Sequence, residues 1–272
     1  MTRDQDPYPA ERSLQAESAF ARSLIVDAGK NALKLFGAGY ETTWQANNTP
    51  VTPLDLSNND LIVDRIKSVY PSDRINSEER GIAEGTNGRT WVVDPNDGTQ
   101  SLGLLDTWTV CMGLTDKEGK PQISYVYSPL RKALFTARVG EPSTLNDEPI
   151  KVNSHEEVKG SYIFFGSRLL KADTLTTNGV AYDRLEGQGA KILNARSLAF
   201  GCCMVAAGKA AGAYIGVRTP FEAASVALLV ECAGGKVTDL FGNPPGRLDG
   251  EINGLIVSNG LIHNALVEAI AA

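Results

Sequence analysis

Trp91-Val92-Val93-Asp94-Pro95-Asn96-Asp97-Gly98-Thr99 is the stretch on which the reading of this chain turns. Trp-Val-Val has the composition of the end of a buried strand. Asp-Pro interrupts the ladder, because proline has no N–H to donate. Asp94 and Asp97 are therefore expected where strand gives way to loop, three residues apart and able to converge. Two carboxylates held close repel unless a cation lies between them. Gly98 lets the backbone approach a ligand, and Thr99 offers a hydroxyl. The chemistry that suits these residues is a hard-metal site with room for an oxyanion. A strand followed by an ordinary acidic turn accounts for the same residues, since Asp, Pro, Asn and Gly are common turn formers.

Downstream, the segments Thr109–Leu114, Gln122–Tyr127 and Ala133–Val139 alternate apolar and polar residues. Lys117-Glu118-Gly119-Lys120 and Ser128-Pro129 separate them as turns, which predicts an antiparallel sheet. Glu141 to Pro149 is expected as a loop and Ile150–Asn153 as a short strand entering the second half. Upstream, Ile75-Asn76-Ser77 reads as a short strand leaving into Glu78-Glu79, two acids that in isolation would simply be solvated. A helix is expected from Ser57 to Val69, with Ser57 and Asp60 as a capping box, Leu61, Ile62, Ile66 and Val69 as its stripe, and Pro71 past its end. Asp55 precedes it as a helix-start carboxylate. An earlier helix runs from Ser13 to Phe36 on a face of Leu14, Ala21, Leu24, Ile25 and Ala28, and Gly37 and Gly39 end it. Glu17-Ser18 falls where this stripe calls for apolar residues. Residues 1–12 look like a loose tail.

The second half alternates strand and helix: strands at Tyr162–Gly166, Ala213–Val217, Lys236–Thr238 and Gly254–Ser258, helices at Ser197–Gly208, Thr219–Ala233 and Leu261–Ala271. Alternation of this kind implies α/β layers, so an α+β half with an antiparallel sheet over 1–150 and an α/β half over 151–272 are expected to share a broad interface. Thr219, Pro220 and Glu222 satisfy helix-start rules, so Glu222 could bond back to the Thr219 N–H. Equally, its carboxylate could point into the cleft that holds Asp94 and Asp97.

Lys and Arg number 26 against 32 Asp and Glu, a net charge of −6, which argues against nucleic acid or an anionic membrane as the partner. Met1 to Glu17 has no signal-peptide core and no later run approaches a membrane span, so a cytoplasmic protein is expected. Cys111, Cys202, Cys203 and Cys232 lie in apolar surroundings without zinc spacing and are expected as reduced thiols. His155 and His263 lie outside the motifs, as surface or cap residues rather than ligands.

In order along the chain come Asp55, Glu78-Glu79, Asp94 to Thr99, and Glu222 with Ala223-Ala224 and later Ala233-Gly234-Gly235. This order resembles the inositol monophosphatase superfamily, the magnesium-dependent, lithium-sensitive phosphatases, from about residue 18 to the end. The resemblance implies a layered αβαβα sandwich of the α+β and α/β classes and two or three Mg²⁺ ions. Glu78, Asp94 and the Asn96 carbonyl would hold one, and Asp94, Asp97 and Glu222 a second, with Glu79 supporting the shell and a weaker third ion. Carboxylates and a carbonyl without His or Cys suit Mg²⁺. Asp55 would pair with Thr99 to orient and deprotonate the attacking water, and the Gly98 and Thr99 amides would hold phosphate oxygens. Asp97, Ser197 and Arg218 are further expected substrate neighbours. The implied protein is a homodimeric Mg²⁺-dependent phosphomonoesterase acting on a small phosphorylated metabolite.

Several positions depart from that pattern. Asn96 stands where the family usually has Ile or Leu. Phe221-Glu222 replaces Trp-Asp, and Glu reaches further by about one C–C bond, near 1.5 Å. Ile215 falls where inositol-specific members carry an acid that grips hydroxyls. Arg196-Ser197 replaces Gly-Ser or Gly-Thr. Inositol phosphate is accordingly disfavoured as substrate, and Arg218 could meet a second anionic group. Two alternatives stand beside the main reading: a 3′(2′),5′-bisphosphate nucleotidase-like member, and a weakly active relative that binds a phosphorylated ligand. A haloacid-dehalogenase-type phosphatase is rejected, because its aspartates are separated by one residue and these by two.

Overall fold

The computed structural model describes residues 14–44, 50–165, 178–216 and 219–271. In chain order the elements are α1 (Leu14–Ala38), β1 (Thr43–Trp44), β2 (Pro50–Val51), α2 (Pro53–Val69), β3 (Arg74–Ser77), β4 (Gly81–Ala83), β5 (Thr90–Asp97), a 3-10 turn (Thr99–Ser101), β6 (Thr109–Thr115), β7 (Pro121–Ser128), β8 (Ala133–Arg138), β9 (Thr144–Leu145), β10 (Glu148–Pro149), β11 (Tyr162–Phe165), α3 (Asn178–Gly187), β12 (Lys191–Leu193), α4 (Leu198–Ala206), β13 (Gly212–Ile215), α5 (Ala223–Cys232), β14 (Lys236–Thr238), β15 (Leu255–Ser258) and α6 (His263–Ala271).

The first sheet has the order β10-β9-β8-β7-β6-β5-β3-β4, antiparallel except for the parallel pair β3/β5. The second has the order β12-β11-β13-β15-β14, parallel at one end and antiparallel at the other. Helices α1 and α2 cover the outer face of the first sheet, α4 and α5 lie between the sheets, and α3 and α6 cover the far face of the second. The layering is the αβαβα sandwich expected. Because β5 is buried on both faces, its apolar residues form a continuous run rather than an alternation: Trp91 and Val93 pack with α1 and α2, and Val92 packs with α4 and α5.

Local departures from expectation have local causes. Helix α2 begins at Pro53, not Ser57, because Thr52 is its cap: Thr52 Oγ1 accepts from Leu54 N at 3.2 Å and Asp55 Oδ2 accepts from Thr52 N at 2.7 Å. Ser57 lies inside the helix and accepts from Asn31 Nδ2 of α1. Helix α5 begins at Ala223, and Glu222 makes no capping bond with its side chain. Ile150–Asn153 forms no strand; Ile150 N and Val152 N bond to Ser143 O and Ala233 O as an extended connector. The gap in the α1 stripe is filled by polar pairing. Glu17 is fully buried and accepts from Arg89 Nη1 at 2.7 Å, Arg89 also pairs with Asp73, and Ser18 bonds the Tyr125 hydroxyl. His263 is buried between Thr238 and Ser258 at the start of α6, not on the surface, and burial lowers its pKa to about 4. All four cysteines are free thiols, with Cys202 and Cys203 in the core. Among the described residues no helix is long and apolar enough to cross a membrane.

Candidate metal centre

Proline at position 95 does not end β5. On the β6 side, Asp94 pairs with Cys111 and Asp97 with Thr109, so three steps along β5 match two along β6. The surplus residue at Pro95-Asn96 is a β-bulge, which absorbs the missing N–H. Its effect is larger than a local kink. Residues three apart on a regular strand face opposite sides of the sheet; the bulge turns both aspartates to one side. Carboxylate oxygens of Asp94, Asp97 and Glu222 all lie within 4.8 Å of one another. The parallel pairing of β3 with β5 sets Ser77 beside Val93, and Glu78 N donates to Val93 O at 3.1 Å. Glu78 thus leaves the sheet beside Asp94, close enough for the two carboxyl groups to act on each other's charge.

At the other end of the cluster, Thr99 Oγ1 donates to Asp55 Oδ1 at 2.7 Å, with Asn96 O 2.9 Å away as a second acceptor. Thr52 holds the opposite carboxylate oxygen of Asp55 through its N–H at 2.7 Å and its hydroxyl at 2.5 Å. Gly98 has φ +96°, and a Cβ there would sit 2.9 Å from Ser197 Cβ, so both backbone and space demand glycine.

The same close approach docks Asp97 onto the start of α4. Ser197 Oγ donates to Asp97 Oδ2 at 2.5 Å, Ala199 N to Oδ2 at 2.9 Å and Leu198 N to Oδ1 at 3.2 Å, with Thr109 Oγ1 at 3.4 Å. A carboxylate at a helix N-terminus is favoured by the orphan amides and the dipole. Ser197 is also the cap of α4, accepting from Phe200 N. Arg196 just before it has φ +60°, the left-handed conformation that glycine adopts freely, and its side chain is exposed.

These acids raise one another's proton affinity. The Asp94 carboxyl is pushed well up by burial and by Glu78, Asp97 and Glu222. Glu222 is likewise raised by burial and then by Asp97 and Glu78. Glu78 opens onto the cleft yet is ringed by protein; loss of surrounding water, then the charge of Glu79, brings it to about 7. Burial, then the charge of Asp55, brings Glu79 to about 7 as well, though it stands apart from the Asp94–Asp97–Glu222 cluster. Asp97 is raised by burial, with its hydrogen bonds opposing. A dication relieves all of these together.

The donor set fits Mg²⁺: carboxylates and a carbonyl, no His or Cys within it. Glu222 Oε2 is buried with no hydrogen-bond partner, which a cation would supply. The structure therefore brings Asp55 and Thr99 together at one end, Asp94, Asp97, Glu78 and Glu222 at the other, and Ser197 against Asp97. Ile215 is fully buried at the end of β13. Arg218 lies outside the described residues. Sequence reasoning missed Thr52, Thr109 and the α4 amides as supports, and Tyr40, whose hydroxyl pKa is raised by burial and by the nearby Asp55 charge. The spacing Thr52-x-x-Asp55 was the available signal for the first of these.

A layered αβαβα sandwich whose central strand delivers converging carboxylates beside a Gly-Thr turn defines a metal-dependent phosphomonoesterase. Residues 13–272 match the Inositol monophosphatase family, and the chain belongs to it. It is 31% identical over 239 residues to the Nus factor SuhB of Escherichia coli K12, covering 85% of this chain and 89% of that one. It is 29% identical over 252 residues to a histidinol-phosphatase of Chlorobaculum parvum, covering 92% and 95%. The crystal structure of the extragenic suppressor protein suhB from Bartonella henselae superposes with a TM-score of 0.86 at 22% identity, over 94% of this chain and 98% of that one.

Proposed function

We propose that this phosphomonoesterase uses Mg²⁺, two or three ions, to hydrolyse a small phosphorylated metabolite other than inositol phosphate. The observation behind this reading is the convergence of Asp94, Asp97 and Glu222 beside the hydrogen-bonded pair Asp55–Thr99. Glu78, Asp94, the Asn96 carbonyl, Asp97 and Glu222 would hold the ions, with Glu79 at the periphery. When bound, they would shield the ester's charge, acidify the attacking water and stabilise the leaving oxygen.

The protein's own groups do the rest. Thr99, its hydrogen given to Asp55, keeps a lone pair for the water's hydrogen. Gly98 and Thr99 offer backbone amides to the phosphate oxygens. Ser197 and the α4 amides keep Asp97 turned toward the ions. On the leaving-group side, Ile215 is buried and supplies no acid to grip ring hydroxyls, and Arg218 would meet a second anionic group. Residues 1–150 supply most of the ligands, and residues 151–272 supply Glu222 and the substrate contacts.

The relatives called Nus factor have that name for themselves. Here a net charge of −6 and the acidic cluster favour a small ligand over nucleic acid. Family likeness further supports a cytoplasmic homodimer, which light scattering on the purified chain checks. The deciding experiment is phosphate release from inositol phosphates, sugar phosphates, histidinol phosphate and adenosine bisphosphates, each with and without Mg²⁺. Turnover on at least one ester that requires Mg²⁺ is expected. No Mg²⁺-dependent turnover on any of them would reject the enzyme reading in favour of a phospho-ligand binding protein.

A further inference from the structure

Asn96 differs from its neighbours in the cluster by having two attachments to it. Its backbone carbonyl faces Thr99 Oγ1, while its side chain turns back onto the Asp55–Thr99 pair: Nδ2 donates to Asp55 Oδ1 at 3.1 Å and to Thr99 Oγ1 at 3.2 Å. The amide orientation is dictated, because turned over it would set a carbonyl oxygen against the Asp55 carboxylate. Asn96 is 2% exposed, and its Oδ1 is buried with no hydrogen-bond partner. A buried acceptor left unpaired costs stability. An apolar residue of similar size would avoid that cost, so the amide is not explained by folding.

Counting lone pairs shows what the amide does. A carboxylate has about four acceptor positions. Asp55 receives the Thr52 N–H, the Thr52 hydroxyl, the Thr99 hydroxyl and the Asn96 amide, so its acceptor positions are filled. It can take no hydrogen directly from a water without losing one of these bonds. The Thr99 hydroxyl has one hydrogen and two acceptor positions. Two oxygens compete for that hydrogen, Asp55 Oδ1 at 2.7 Å and Asn96 O at 2.9 Å. With the Asn96 amide donating into Thr99 Oγ1 from one side, a single acceptor position remains open, and the hydroxyl rotor is held between three fixed neighbours.

We infer that Asn96 is a positioning residue for hydrolysis: its side-chain amide clamps the Asp55–Thr99 pair so that Thr99 presents one open lone pair to the attacking water. The inference rests on the phosphatase reading above, and its test is arranged to fail separately. With the best ester from the Mg²⁺ screen, Asn96→Leu is expected to lower kcat by about tenfold to a hundredfold, the range for groups that orient a metal site from behind it. KM should stay within about twofold, and the melting temperature should not fall, since Leu removes the unpaired Oδ1. Asn96→Gln, which keeps the amide on a longer arm, should recover part of the kcat. An unchanged kcat in Asn96→Leu, or a loss that follows a lower melting temperature and is not recovered by Gln, would overturn the inference while leaving the phosphatase intact. A readout independent of turnover is the NMR signal of the Asn96 side-chain NH₂. Thr99→Ala should shift one of its two protons and speed its exchange with water. If neither proton responds, the clamp does not exist, whatever the activity of the wild-type protein.

Discussion

Asp97 and Glu222 belong to one cluster and are held in opposite ways. Asp97 accepts from Ser197, Leu198, Ala199 and Thr109, so its position is set by the fold before any ion arrives. Glu222 has one oxygen without any partner, and its side chain does not cap the helix it starts. One carboxylate is a wall built into the junction of β5 and α4, and the other is an arm on a longer tether. The contrast shows how a cluster of like charges can exist in a folded chain: most of the repulsion is absorbed where donors are plentiful, and the remainder is left at a group that only a cation completes.

The sharpest way to break this contrast is to neutralise each acid in turn. Asp97→Asn should lower activity by about a thousandfold or more, several kcal/mol of transition-state stabilisation, and should lower stability by about 1–2 kcal/mol because a helix cap is damaged. Glu222→Gln should also lose Mg²⁺-dependent activity yet raise the melting temperature of the metal-free protein at pH 7.5, because an acid crowded by burial, Asp97 and Glu78 is replaced by a neutral amide. If both variants shifted stability in the same direction, the distinction between wall and arm would be wrong. Next in size, Glu222→Asp should raise Mg²⁺ affinity in calorimetry by about tenfold, with stability unchanged; an unaltered affinity would show that the longer arm already reaches ideal geometry.

Titration sharpens the same point. Glu78 and Glu79 have folded pKa values of about 7, raised above the ordinary 4.5. The folded metal-free protein therefore binds more protons than the unfolded chain between these values. The stability from these groups is fully present below about 4.5 and is lost as pH rises through about 7. Metal-free protein should melt lower at pH 7.5 than at pH 5.5, by a few degrees, and saturating Mg²⁺ should reverse the order. An equal response to Mg²⁺ at both pH values would mean that the ion does not displace these protons. The smallest effect concerns the junction itself: Arg196→Gly should raise stability by about 1 kcal/mol by relieving a left-handed backbone, measured by denaturant unfolding.

Where chemistry and spacing coincide, the sequence was informative. Asp94 and Asp97 lie within reach of Glu222, which is far from them in the chain, and the layers follow from strand and helix alternation. What escaped were features in which a tertiary partner overrides a local rule. Glu17 breaks an apolar stripe because Arg89 comes from another element to meet it. Ser57 and Asp60 looked like a cap, yet Thr52 and Asp55 took that role, and Pro53 at the first helical position had marked the true start. Pro95 looked like a terminator, but register against β6 turned it into a bulge that re-aims two side chains. Short strands such as β9 and β12 have too few residues to show a period at all.

The docking of Asp97 on α4 also has a consequence in time. A chain emerging from the ribosome releases Asp55, Glu78, Asp94 and Asp97 first, and N-terminal segments begin folding before the rest exists. The donors that settle Asp97 come from residues 197–199, and the last acid of the cluster from residue 222. Through the intervening synthesis the early acids have neither their helix nor their final companion. Completion of the site that Asp94 and Asp97 share with Glu222 thus waits for the second half of the chain, and a nascent chain arrested before residue 197 should lack that site.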